Sequence, residues 1–252
     1  MELLSDPAVL AMAVLSVLIV GLAKGGFSGL GALATPLLAL VLPPTQAAAL
    51  LLPVLLVQDV VSVWSFRKTW DRWIVAQMLP GAALGVGLAA WFAASVDEAR
   101  VMLVLGAITL LFGLYRLWLG RGGRIVAASN SPGWIGALFG VATGFTSQIA
   151  HAGGPPFQMW VTPRRLPHEV FVGTSSVTFA AINWIKVPSF LALGTLDRAT
   201  LSASVLLLPL AVLSTLVAVR IIRRLDAARF YTVIYILMIV LGAKLVWDGL
   251  GA

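Results

Sequence analysis

Eight apolar stretches of about twenty residues set the terms on which this chain can fold. They cover 7–23, 46–66, 73–94, 100–119, 133–150, 168–193, 199–219 and 230–249. About twenty apolar residues in a helix cross the ~30 Å hydrocarbon core of a bilayer, and a helix satisfies its own backbone groups where no water can. The segments between them cannot make a polar shell: 60% of the 252 residues are hydrophobic and 11% are charged, against about 25% charged in soluble domains. The fold expected is an all-α polytopic membrane protein. The absence of cysteine excludes disulfides, thiolate metal sites and iron–sulfur clusters. A net charge of +7 would suggest nucleic acid for a soluble protein. Here the basic residues sit in short loops between apolar runs, where they set orientation in the bilayer. Lipid is therefore the expected partner and nucleic acid is not. Trp64, Trp70, Trp73, Tyr115, Trp118, Trp134, Tyr231 and Trp247 gather near the ends of the runs, as interfacial belt residues do. Glu2 and Asp6 precede the first run without a basic residue, unlike the start of a cleavable signal peptide.

Two breaks interrupt this pattern. The first, Gly21-Leu22-Ala23-Lys24-Gly25-Gly26-Phe27-Ser28-Gly29-Leu30-Gly31, places a lysine among glycines. The second, over 140–156, carries Thr146, Ser147, Gln148, His151, Gly153 and Gly154 and closes on Pro155-Pro156. Glycine weakens a helix and a charge at the bilayer centre is costly. Neither break can face lipid as ordinary helix. A short apolar run follows each, 28–42 and 152–161, reaching ~22 Å or less at 1.5 Å per residue. Matched breaks in two apolar halves point to the binding site of a transporter. Helix N-termini meeting there would present free N–H groups and positive dipole ends to an anion, and Lys24 adds a full charge.

The halves repeat. Asp97-Glu98-Ala99-Arg100 matches Asp226-Ala227-Ala228-Arg229, and a glycine (Gly113, Gly242) and a tryptophan (Trp118, Trp247) follow each arginine at equal intervals. Asp71-Arg72 with Pro80 echoes Asp197-Arg198 with Pro209, and Asp59…Ser65-Phe66 echoes Asn183…Ser189-Phe190. Arg67, Lys68 and Arg72 mark one loop as cytoplasmic, Arg121 and Arg124 another, Arg220, Arg223, Arg224 and Arg229 a third. The acidic loop at Asp97 is then external while its counterpart at Asp226 is internal. Corresponding elements face opposite ways, so the expectation is two inverted-topology repeats with broken or short helices, residues 1–124 and 125–252. The short runs would carry the chain back across, placing Arg164 and Arg165 inside and both termini outside.

Several polar residues sit inside the apolar runs or at the breaks between them. Lys24 either reaches a ligand among small neighbours or snorkels to the nearer interface. Lys186 lies deep in its run and either contacts cargo or pairs with a carboxylate. Asp59 aligns with Asn183 and could carry a coupling proton, pair with Lys186 or Lys24, or cap a broken helix. His151 could donate to an oxyanion or bond a freed carbonyl. Thr174, Ser175, Ser176 and Thr178 offer hydroxyls that otherwise bond their own helix. Gly81, Gly85 and Gly87 suit close helix contact within or between subunits, which leaves a homodimer open. Arg116 and Lys244, near helix ends, are expected to snorkel.

Lys24-Gly25-Gly26-Phe27-Ser28-Gly29 with Pro36, the Gly153-Gly154-Pro155 break, Gly173-Thr174-Ser175 and Asn183…Lys186 together resemble the sulfite exporter TauE/SafE family over nearly the whole chain. The resemblance implies secondary transport of sulfite, sulfoacetate-like organosulfonates or related carboxylate anions. It extends the candidate substrate-binding set to Lys24, Gly25, Gly26, Ser28, Gln148, His151, Gly153, Gly154, Thr174, Ser175, Asn183 and Lys186, with Asp59 as the ion-coupling candidate. The first half has Leu51-Leu52-Pro53 where the second has Gly173-Thr174-Ser175, so the halves do not supply the same groups.

The function expected is an alternating-access exporter of small sulfur-containing anions in a bacterial inner membrane, with one repeat rocking against the other and no cofactor or metal. The absence of a GxxxxGK[ST] run argues for an ion gradient rather than ATP. A passive anion channel and a small-carboxylate carrier are the alternatives. An intramembrane enzyme using His151 and Glu169 lacks a metal cluster or activated nucleophile to work with.

Overall fold

The computed structural model describes residues 2–24, 29–123, 130–221 and 227–251. Gly25, Gly26 and Ser28 lie outside the described residues, as do Arg124, Arg223, Arg224 and Asp226. Among the described residues there are ten α-helices and no strand: α1 (Pro7–Lys24), α2 (Ala34–Leu38), α3 (Pro44–Phe66), α4 (Arg72–Ser95), α5 (Glu98–Gly120), α6 (Gly133–Ala150), α7 (Gly154–Val161), α8 (His168–Ala192), α9 (Arg198–Ile221) and α10 (Ala227–Gly251). Each long apolar run is a helix. Seven of them are long and apolar enough to cross a bilayer. The 18-residue α6 falls short of that composition, because Thr143, Thr146, Ser147, Gln148 and four glycines dilute its apolar character. The chain is a multi-pass membrane protein.

The helix starts follow from local chemistry. Pro43 and Pro167, at nearly the same torsions (φ −53°, ψ 140° and φ −51°, ψ 142°), lead into α3 and α8. Aspartates cap three others: Asp71 accepts from the Ile74 N–H at 3.0 Å, Asp97 from Arg100 at 2.9 Å and Asp197 from Thr200 at 2.7 Å. The bond from the Thr200 N–H holds the Asp197 carboxyl below the usual carboxylate range. The sequence echo of Asp71 and Asp197 is thus a shared way of starting a helix.

Glycine seams bring the long helices together. A Cβ at Gly81, Gly85, Gly140 or Gly144 would collide with the carbonyl oxygen of Ala137, Val141, Met78 or Ala82, so α4 and α6 meet backbone to backbone. Gly106, Gly113, Gly242 and Gly249 do the same for α5 and α10. These seams lie within one chain. The other main packings are α1 on α9, α3 on α9, α3 on α8 and α4 on α8. Exchanging α1 through α5 for α6 through α10 returns the same set of pairs. α3 is the most enclosed long helix, and Leu84, Leu88, Trp91, Leu138, Leu213, Val240 and Trp247 form part of an exposed apolar exterior.

The short elements are shorter than the sequence suggests. A 3-10 turn at Leu30–Leu33 and the five residues of α2 stand in the run 28–42; α7 and a 3-10 turn at Thr162–Arg164 stand in the other. Each covers ~15–18 Å, about half the hydrocarbon thickness.

Candidate functional site

The two breaks meet. α6 ends where His151 takes a left-handed conformation (φ 51°), a strained choice for a residue with a side chain. That turn sends the chain through Gly153 into α7. Gly29, at φ 96°, starts the short elements of the first half. A Cβ added at Gly154 would lie 4.0 Å from the Cα of Gly29. Between the breaks lies a cavity of about 100 Å³, room for a small oxyanion and a few waters but not for a large ligand. Its polar lining includes Lys24, Ser147, His151, Gln158, Ser175 and Asn183; Val20, Leu55, Phe171 and Phe179 make much of the rest.

Two charge clusters flank it. The Lys24 ammonium is ion-paired to Asp59 Oδ1, and the Asn183 amide donates to Asp59 Oδ2 at 2.6 Å. Both Asp59 oxygens are engaged. Lys186, fully buried, donates to the Ser147 carbonyl (3.1 Å), the Ser147 hydroxyl (3.2 Å) and His151 Nδ1 (2.6 Å). An ammonium has three N–H groups, and all three have partners. His151 Nε2 donates to the Ala48 carbonyl at 2.8 Å. The carbonyl can only accept, so the proton is on Nε2, and Nδ1 is the acceptor for Lys186. His151 is therefore neutral here, with both nitrogens engaged. With both lysines as ammonium ions, Lys24, Lys186 and Asp59 leave one positive charge in excess beside the cavity. Among the described residues no carboxylate lines the cavity itself.

Five residues of the candidate set line the cavity: Lys24, His151, Gly154, Ser175 and Asn183. Asp59 and Lys186 stand directly behind them. Gly153 packs against Thr143 and Phe179 and serves close approach. Thr174 donates to the Val170 carbonyl and accepts from the Asp71 N–H at 2.9 Å, tying α8 to the start of α4. Gln148 faces a separate small cleft with Thr45, Ala93 and Leu193, and its buried Oε1 has no partner among the described residues. Gly25, Gly26 and Ser28 lie outside the described residues. The expected helix N-terminus is poorer in donors than the sequence reading implies, because Pro155 and Pro156 occupy the first turn of α7 and carry no N–H.

Arg116 departs from the sequence reading. It does not snorkel. Its guanidinium donates to Gln158 Oε1 and to the Tyr235 hydroxyl, at 3.0 Å from Nε and 2.8 Å from Nη2, beside Gly29. The signal was present: Arg116 continues the buried stripe of Leu105, Thr109 and Phe112 along α5. Gln158 has no such signal, since one glutamine in a short apolar run carries no spacing information. Lys244 is exposed and paired with Asp248 at 2.7 Å.

No curated protein and no solved structure gives a significant match. The profile of the sulfite exporter TauE/SafE family matches residues 13–245, nearly the whole chain. With a multi-pass helical fold, two glycine breaks and a cationic cavity where they meet, the chain belongs to the sulfite exporter TauE/SafE family of membrane transporters.

Proposed function

We propose that the protein is a secondary transporter that exports small sulfur-containing anions, sulfite or sulfoacetate-like organosulfonates, by alternating access across a bacterial inner membrane. The observation that carries this reading is the cavity between the breaks, lined by Lys24, with Asp59 and Lys186 directly behind its lining. An excess charge buried in low dielectric is costly, and a bound anion removes that cost. The exchange symmetry of the helix packing supports two repeats, and the loop charges are the ground for inverted topology, in which each short helix and its glycine break together carry the chain back across the membrane.

In this mechanism the anion competes with Asp59 for Lys24. Its oxygens accept from the Lys24 ammonium and the Ser175 hydroxyl, while Lys186 stays in place behind Ser147 and His151 and contributes its field. His151 acts as a positioning residue, because neither nitrogen is left to donate. A proton on Asp59 weakens its hold on Lys24, so proton and anion loading are linked through one ion pair. An organic tail would lie against Phe171 and Phe179.

Thermal unfolding of the purified protein with sulfite, sulfoacetate and acetate tests the site, since a ligand of the folded state raises the melting temperature by mass action. The two sulfur anions should raise it, and Lys24→Gln should erase the shift. An undiminished shift in Lys24→Gln would remove Lys24 from the pocket. A shift with acetate alone would identify a carboxylate carrier. In proteoliposomes, sulfite moved uphill by a pH gradient excludes the passive channel; gradient-independent flux in wild type would end the coupling role of Asp59.

A further inference from the structure

We propose that the protein carries a second anion station, an open basic vestibule beside α5 and the α7–α8 turn, which loads the inner cavity. This rests on the transport reading above. The vestibule is a separate cavity of about 550 Å³. Arg116 lines it along with Arg165 and His168, and among its described lining residues there is no carboxylate. Arg165 and His168 are exposed, and neither side chain makes a hydrogen bond or ion pair to the described residues. Arg165 is held at φ 53° at the end of the Thr162–Arg164 turn, and His168 opens α8, where the helix dipole also favours negative charge.

The vestibule and the inner cavity share one wall. Gln158 and Phe171 line both. The Gln158 carboxamide is turned by its bond to Arg116: a guanidinium can only donate, so Oε1 faces the vestibule side. Its Nε2 then sits 3.7 Å from where a Gly154 Cβ would be, toward the inner cavity. The partition therefore presents a cation on one side and an amide donor on the other. Positive groups follow one another inward with rising burial, from exposed Arg165 to half-buried Arg116, to Lys24 at 12% exposure and Lys186 at 0%. An oxyanion held by Arg165 and His168 can draw Arg116 away from Gln158, which frees the amide to swing and pass the anion toward Lys24. The ligand is a free oxyanion of the class that occupies the inner site. A lipid phosphate shares that chemistry, and the choice of bilayer separates the two.

The test is equilibrium binding of radiolabelled sulfite to the full chain in phosphatidylcholine nanodiscs, which hold no anionic lipid. Wild type should bind two sulfites per chain. Arg165→Gln, a change at an exposed side chain, should lose the weaker one and keep the tighter. Lys24→Gln should keep the weaker one. In proteoliposomes at low salt, Arg165→Gln should raise the half-saturating sulfite concentration roughly three- to tenfold on the face that bears Arg165 and leave the other face unchanged. Two sulfites retained in Arg165→Gln, or a single wild-type sulfite that Lys24→Gln abolishes, overturns the vestibule and leaves the transport reading standing. A single sulfite lost in Arg165→Gln and kept in Lys24→Gln retains the vestibule and ends the inner-site reading. No binding to wild type ends both.

Discussion

Lys24, Asp59, Asn183, His151 and Lys186 stand out in the sequence because each is a polar side chain within an apolar run or at a break between runs. What the sequence leaves undecided is the pairing. Asp59 has two lysines as possible partners, and which one reaches it depends on how α8 lies against α3, a tertiary distance that no spacing along the chain encodes. The structure gives Lys24 to Asp59 and Lys186 to Ser147 and His151. Arg116 reads from its position as a snorkelling residue, and only its register with Phe112 and Thr109 points inward. The Lys24–Asp59 pair is 12% and 2% exposed, and removing one partner strands the other. Asp59→Ala is expected to cost about 3–5 kcal/mol in a reversible unfolding assay. The double change Lys24→Met/Asp59→Leu should recover most of that and still fail to bind sulfite. If the double variant is no more stable than the single, the pair is not what the site's stability turns on.

At the scale of elements, the long helices were legible almost to their ends. The run 46–66 is the helix Pro44–Phe66, and 230–249 is Ala227–Gly251. Apolar length and flanking charges settle that much. The short elements were legible in place but not in extent, because in 28–42 the backbone form is decided by Gly29 and Pro36 rather than by hydropathy. The seams were half legible: Gly81 and Gly85 announce close contact, but only the structure gives α6 as the partner. Gly144→Val puts a branched side chain against the Ala82 carbonyl, where helix propensity alone would favour it over glycine. It should lower stability by about 1–3 kcal/mol, measured by denaturant unfolding in detergent. Gly87→Val, where nothing lies within 4 Å, should not. Equal effects at both positions would mean the seam is not holding α4 to α6.

For the molecule as a whole, the two halves of the chain pack on one another more than each packs on itself. Most of the large helix contacts cross from one half to the other, so each half exposes its partner's seam when alone. A chain divided in the segment between α5 and α6 should be recovered intact when both parts are made together, and each part made singly should be degraded. Stable recovery of one part alone would show a self-sufficient domain. The α4–α6 seam reaches further still. Two backbones in direct contact at four glycines cannot slip past each other without first coming apart, a far larger disruption than rotating a side chain. In the alternating-access cycle proposed above, whatever swings would therefore carry a helix from the first half together with one from the second. The moving bodies would be cut from the chain crosswise, in place of one repeat rocking against the other, and a hinge sought at the midpoint of the sequence would be sought in the wrong place.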